Sequence, residues 1–166
     1  MRIRRKYIWF LMMVFFSLIN KQGTSQTVKK IKMPELVEYL STADHPLVVN
    51  VWATWCPPCL EELAWFDSLL QHNGNSSVEL VLVSMDFANQ YEKAIASFIE
   101  KTKLKATYYW LDETSADYFC PLFDKDWSGN IPVTLFVNNA TGFRLFFDDQ
   151  VKPDQFAVAL NKLLTY

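Results

Sequence analysis

Two cysteines separated by two prolines, Cys56-Pro57-Pro58-Cys59, are the residues in this sequence best placed to do chemistry. They follow an apolar run over 46–51 and lead into a helical pattern over 60–71. At that spacing the sulfurs are near enough to close a small disulfide ring. Cys56 falls where a helix's free N–H groups and positive dipole end stabilise a thiolate. Proline is tolerated in a first helical turn, so Pro57 and Pro58 stiffen the turn without breaking the helix. Cys59, one turn in, is placed to attack a mixed disulfide formed at Cys56. The chemistry implied is thiol–disulfide exchange.

Other uses of such a pair are poorly supported. Structural zinc needs four ligands, and beyond the pair only Cys120, His45 and His72 remain, with no second pair at ligand spacing. No metal and no cofactor is expected. A haem attachment site needs histidine after the second cysteine, where Leu60 stands. A stapling disulfide closes a longer loop as a rule, because the entropic gain grows with loop length. Cys120 lies in an aromatic segment and reads as a small buried hydrophobe. His45 and His72 read as surface or capping residues.

The surrounding pattern says what must position the pair. Nearly continuous apolar, β-branched runs at 47–52 and 78–84 read as strands covered on both faces. Apolar residues at Cys59, Leu63, Phe66 and Leu70 mark one face of the helix between them, with Glu61, Glu62 and Asp67 elsewhere around it. A further helix over 91–101 completes a parallel crossover unit. A helix over 33–40 precedes it, after a tether or short edge strand at 26–32. Beyond it come an extended stretch at 106–111 and a short helix over 114–125 broken at Pro121. A loop at 126–130 leads to Ile131-Pro132, which opens a strand over 133–137. A hairpin turn returns the chain along 143–147, and a helix over 153–164 ends it.

The chain has 166 residues, half of them hydrophobic, with 13 Phe, 7 Tyr and 6 Trp, enough to build a core without disulfide staples. Residues 1–25 carry five basic residues and no acid. Taking those five from sixteen leaves eleven bases against eighteen acids, a formal charge of −7 for the remainder. That balance, with no basic stripe, excludes nucleic acid as an expected partner. The first 25 residues have the grammar of an export signal: a basic start, an apolar run over 7–19, then small residues spaced for cleavage. The expectation is a signal peptide or uncleaved N-terminal anchor at 1–25 and one domain over 26–166. The asparagines of two glycosylation sequons, Asn75 and Asn139, would matter only in a eukaryotic secretory route.

Trp52-Ala53-Thr54-Trp55-Cys56-Pro57-Pro58-Cys59 after an apolar strand, with Ile131-Pro132-Val133-Thr134 opening a later one, resembles the thioredoxin superfamily. The fit is best to its exported TlpA/ResA-like thiol–disulfide oxidoreductases, and it covers residues 33–164. The resemblance implies an α/β three-layer fold, a central mixed sheet of parallel strands plus a C-terminal antiparallel hairpin, flanked by helices. It implies that Cys56 is the exposed nucleophile and Cys59 the buried resolving cysteine. It implies a cis bond at Pro132, with Ile131 facing the cysteines and offering backbone groups to a substrate strand. Trp55 matches the tryptophan that flanks the nucleophile, and Pro57 lies beside it as a further substrate contact. Trp127, in the loop ahead of Ile131, has two open places, the substrate groove or the core.

Two departures bear on the chemistry. Thioredoxins proper place a buried aspartate six residues before the first cysteine, and here Asn50 stands, which cannot take a proton. TlpA/ResA-like proteins often carry a glutamate three residues after the second cysteine, and Glu62 matches it. Two readings of Glu62 stay open, a proton-handling catalytic residue or a solvated helix acid. Neither proline in the motif has an N–H, so two donors to a Cys56 thiolate are missing. A poorly stabilised thiolate favours the oxidised pair and makes the dithiol a reductant.

The expected function is therefore reduction of disulfides in extracytoplasmic, most simply periplasmic, proteins. By resemblance, apocytochromes c awaiting haem are among the candidate substrates, and a membrane protein passing thiols from the cytosol is the electron donor. A monomer is expected. The competing reading is a binding or scaffold module of the same shape whose disulfide is structural.

Overall fold

The computed structural model describes residues 27–72 and 77–165. The expected targeting segment at 1–25 and the first sequon's Asn75 lie outside the described residues, as does most of the loop between the first crossover helix and its strand.

Six strands form one sheet in the order β1-β4-β3-β2-β5-β6. They are β1 (Lys29–Ile31), β2 (Leu47–Trp52), β3 (Glu79–Ser84), β4 (Thr107–Leu111), β5 (Val133–Asn138) and β6 (Phe143–Phe147). The first four run parallel, while β5 is antiparallel to β2 and β6 to β5. This is the mixed sheet with a C-terminal hairpin that the resemblance implied. Gly142 closes the hairpin at φ 73°, a left-handed conformation that glycine adopts without strain. The segment at 26–32 contributes an edge strand, paired to β4.

Five helices cover the sheet: α1 (Met33–Thr42), α2 (Pro57–His72), α3 (Tyr91–Thr102), α4 (Ala116–Phe123) and α5 (Pro153–Thr165). Alternation along β2 decides which helix meets which face. Val48 and Trp52 point to a core shared with Leu63 and Phe66 of α2, Ile95 of α3 and Phe156 of α5. Val49 and Val51 point to a second core with Leu36 of α1 and Phe119 and Phe123 of α4. The domain is three layers, helices on both faces of the sheet.

The helix at 116–123 is continuous, not broken at Pro121 as the sequence suggested. Phe119, Cys120 and Phe123 bury one side of it against the sheet, and Pro121 falls on the exposed side. Tertiary packing holds the turn together despite the missing N–H. Cys120 is buried as expected, and burial pushes its thiol pKa up. His45 is more engaged than a surface residue: its Nε2 lies 2.6 Å from Glu79, which also accepts from Tyr39 at 2.7 Å. That cluster ties the entry of β2 to the start of β3. Asn139 spends its amide on the carbonyls of Leu40 and Ala43.

Parallel strands end at one edge of a sheet, and an antiparallel neighbour begins there. The chain leaving β2, the chain leaving β3 and the chain entering β5 therefore meet at one end. Those three segments carry Cys56, Asp86 and Pro132. Fully buried Phe156 holds the arrangement from below, 4.5 Å from Phe66 of α2 and 5.2 Å from Phe136 of β5 between ring centroids. Phe156→Ala is expected to cost about 3–5 kcal/mol of stability, read from the urea midpoint at unchanged m. A loss under about 1 kcal/mol would mean that α5 is not locked to the sheet through this ring.

Candidate active site

Cys56 occupies the N-cap place of α2. Its carbonyl accepts the first intrahelical bond from Leu60 N–H at 3.1 Å, and Pro57 and Pro58 fill the first two helical positions. Sγ of Cys56 accepts from the Cys59 N–H at 3.3 Å, as a capping side chain would. The two cysteines are joined, with S–S 2.03 Å and Cα–Cα 5.3 Å. Cys59 is fully buried and Cys56 only 4% exposed, so the cysteine that the resemblance implied to be exposed is itself nearly buried in the oxidised protein, though it is the more open of the two.

The chain entering β5 passes beside the pair. The Ile131–Pro132 bond is cis, as the resemblance implied, and the Ile131 carbonyl lies 3.9 Å from Cys56 Sγ. Pro132 is buried and Ile131 half-buried. Trp127 takes the core rather than the groove. It is 5% exposed, lies between Phe119 and Phe123 and donates its indole N–H to the Asn130 carbonyl at 2.8 Å. It braces the loop that delivers Ile131, and presents no ring to a substrate.

Trp55 is the reverse case, 51% exposed beside the nucleophile, with Pro57 also exposed. Its ring stacks on Phe87 at 5.7 Å, and Phe87 is itself 60% exposed. Buried Asp86 fixes both loops. Its carboxylate accepts from the Thr54 backbone N–H at 3.2 Å and from the hydroxyls of Thr54 and Ser84, while its carbonyl accepts the Trp110 indole N–H. The result is an apolar aromatic shelf at the mouth of the site. Sequence reasoning missed Phe87, which sits in a loop without periodicity and gains meaning only through its contact with Trp55.

Glu62 is not a solvated acid. It lies with Cys59, Leu63 and Phe66 at helical spacing on the inward side of α2, and it is 0% exposed. Oε1 accepts from Asn50 Nδ2 at 2.7 Å and Oε2 from the Val151 backbone N–H at 2.9 Å. Burial pushes its pKa up to about 7 against the pull of those two donors, and Asp149 adds to the rise. This buried acid lies one helical turn from Cys59. Gln150 ties the same segment to the helix start through the Pro58 carbonyl at 3.1 Å. Among the described residues no three His, Cys, Asp or Glu side chains gather as metal ligands.

The AhpC/TSA family model matches residues 17–141. Sporulation thiol-disulfide oxidoreductase A of Bacillus subtilis is 35% identical over 57 residues, which cover 34% of each chain. The thiol:disulfide interchange protein DsbE of Escherichia coli is 32% identical over 85 residues, 51% of this chain and 36% of that one. The matched stretch thus spans well under half the length of either relative. Among solved structures, a thioredoxin-related protein of Neisseria meningitidis serogroup B superposes with TM-score 0.62 at 21% identity, covering 76% of this chain and 90% of that one. A secreted Mycobacterium tuberculosis disulfide oxidoreductase gives 0.55 at 20% identity, covering 74% and 84%. At those identities the likeness is one of fold, and the fold is thioredoxin-like.

A carboxyl whose folded pKa is raised from 4.5 to about 7 stabilises the fold fully below the lower value and loses that contribution as pH climbs through the higher. The oxidised protein should therefore lose about 3 kcal/mol relative to Glu62→Gln between about pH 4.5 and about pH 7.5. Denaturant unfolding of both proteins across that range reads the difference. A difference that stays constant with pH would show that Glu62 ionises as freely as in the unfolded chain.

Proposed function

The chain belongs to the AhpC/TSA family, and on that footing we propose that it is an exported thiol–disulfide oxidoreductase whose dithiol reduces disulfides in extracytoplasmic proteins. The observation that carries this reading is the Cys56–Cys59 disulfide at the start of α2, beside the cis Ile131–Pro132 bond. A scaffold has no use for two joined sulfurs at a helix start with a buried acid one turn on.

In the proposed cycle the reduced Cys56 thiolate attacks a substrate disulfide, forming one S–S bond as the other breaks. The first substrate sulfur leaves as thiolate. Cys59, deprotonated with Glu62 as base, then attacks Cys56 Sγ, and the second substrate sulfur leaves. Two electrons pass to the substrate, whose thiolates take up the protons given up by Cys56 and Cys59. The oxidised pair is returned to dithiol by an exported or membrane-held thiol donor. Trp55 and Phe87 would receive apolar side chains flanking the substrate cysteine, and Ile131, with Pro132 and Pro57, would border its backbone.

Export is supported by the basic-then-apolar pattern of residues 1–25 and places the protein in an oxidising compartment, where disulfide substrates persist. Whether that segment is cleaved or kept as an anchor, the domain works outside the cytosol, periplasmic in a two-membrane cell. Proteins awaiting covalent haem, apocytochromes c among them, are a substrate class suited to such a reductase. The domain is proposed to act as a monomer.

Insulin reduction by dithiol-primed protein tests the reading. Wild type should accelerate turbidity several-fold, Cys56→Ser should fall to background, and Cys59→Ser should accumulate a mixed disulfide. Equal turbidity from wild type and Cys56→Ser would leave the scaffold reading standing.

The direction of exchange has its own test. With Pro57 and Pro58 lacking N–H groups, the Cys59 N–H and the helix dipole remain to stabilise a Cys56 thiolate, and no histidine lies between the cysteines. Equilibration with glutathione or thioredoxin should give a potential nearer thioredoxin's, about −270 mV, than that of the strong oxidant DsbA, about −120 mV. A value at the DsbA end would make the protein an oxidant.

A further inference from the structure

Asn50 is fully buried on β2, opposite Thr134 of β5 in the antiparallel ladder. One end of its amide faces three acceptors: Glu62 Oε1 at 2.7 Å, Thr134 Oγ1 at 3.0 Å and the Val133 carbonyl at 3.2 Å. A carbonyl and a carboxylate cannot donate, so the nitrogen must be the atom that faces them. Two hydrogens therefore serve three acceptors. At the other end, Oδ1 is buried and meets no donor among the described residues. A buried amide oxygen left without a donor is costly, and native structures hold few of them.

Glu62, once protonated, can supply that donor. Each of its oxygens takes an N–H from a group that has nothing at that point with which to accept: the Asn50 amide and the Val151 backbone. This cradle suits the carboxylate. A proton arriving on Oε1 would face the amide hydrogens of Asn50 at a heavy-atom distance of 2.7 Å. A half-turn of the amide about its Cβ–Cγ bond removes the conflict and brings Oδ1 round to accept the new O–H. Thr134, whose hydroxyl donates as well as accepts, can donate to the same Oδ1. The contact given up is the longest of the three, to Val133, and the NH2 is carried to the buried end that Oδ1 now holds, where it must find an acceptor in turn.

We propose that Asn50 is a positioning residue for proton exchange at Glu62, its amide turning end for end as the carboxyl gains or loses its proton. The proposal deepens the reading of Cys56 and Cys59 as a working pair and rests on it for its catalytic meaning. An aspartate at this place would take the proton itself, whereas the amide sets when its neighbour does. Asp149 faces Glu62 from the segment before α5 and opposes its ionisation, as burial does. The other titratable groups near it in sequence are on α2 and at its cap: exposed Glu61 and, once reduced, the two cysteines. The β5 neighbours of Asn50, Val133 and Thr134, bring no charge.

The test is NMR of the full oxidised chain from about pH 5 to about pH 9, following the Asn50 side-chain NH2 and the Glu62 carboxyl carbon. In wild type the two signals should move with one midpoint, and in Glu62→Gln the Asn50 signals should stay flat. In Asn50→Ala, loss of one of two donors to the carboxylate should raise the Glu62 midpoint by about one unit. The pH–rate profile of insulin reduction should shift by the same amount. A purely structural asparagine would move the unfolding midpoint and neither of these. Asn50 signals that ignore pH while Glu62 titrates, or an unmoved Glu62 midpoint in Asn50→Ala, would overturn the proposal. Should Asn50→Ala not fold, the wild-type and Glu62→Gln titrations decide alone. Because the NMR needs no exchange reaction, co-titration in a protein that fails to reduce insulin would remove the proposed function and leave the amide's response standing.

Discussion

An ionisable carboxyl with no access to water must find in the protein what solvent would have supplied. Glu62 meets that constraint with one donor from β2 and one from the segment before α5, and both have to be in place at once. The requirement links three parts of the chain far apart in sequence. Asn50 is held in turn by β5 through Thr134 and Val133. Gln150, next to the second donor, reaches the start of α2 at the Pro58 carbonyl. The same short network that satisfies one buried acid thus fixes the helix start, the central strand pair and the last connection relative to one another.

The sulfur pair is positioned by a different device, topology. Three connections converge at one end of the sheet because four parallel strands finish there and an antiparallel one begins. One carries the cysteines, one carries Asp86 and Phe87, and one carries Ile131 and Pro132. Asp86 locks the first to the second through Thr54, and the core beneath supports the third through Trp127. The stacked pair of Trp55 and Phe87 is therefore fixed at the mouth of the site by the same Asp86 contacts.

Much of this was legible before any coordinates. The strands at 47–52 and 78–84, the helix between them and the hairpin follow from periodicity and turn residues, because burial on both faces or one leaves a direct mark in sequence. The cysteines, and Ile131-Pro132 through resemblance, were legible for the same kind of reason: rare residues at a fixed place on a fold. Glu62 was only half legible. Sorting helix positions by polarity sends an acid outward, yet its offset of three from Cys59 puts it on the inward side, where partners distant in sequence make burial tolerable. Trp127 and Pro121 show the same limit. A loop tryptophan has no period to betray its direction, and a proline in a short helix breaks it only when packing does not hold the turns. Phe87 was illegible because its role exists only beside Trp55, a loop away.

The short edge strand β1 has a consequence of its own. Followed through β4 and β3, its register sets Lys29 level with Val51 and Lys30 with Trp52, beside the end of the sheet where β2 hands over to Cys56. Pairing of this edge strand to β4 therefore braces the sheet at the level of the sulfurs rather than at its other end.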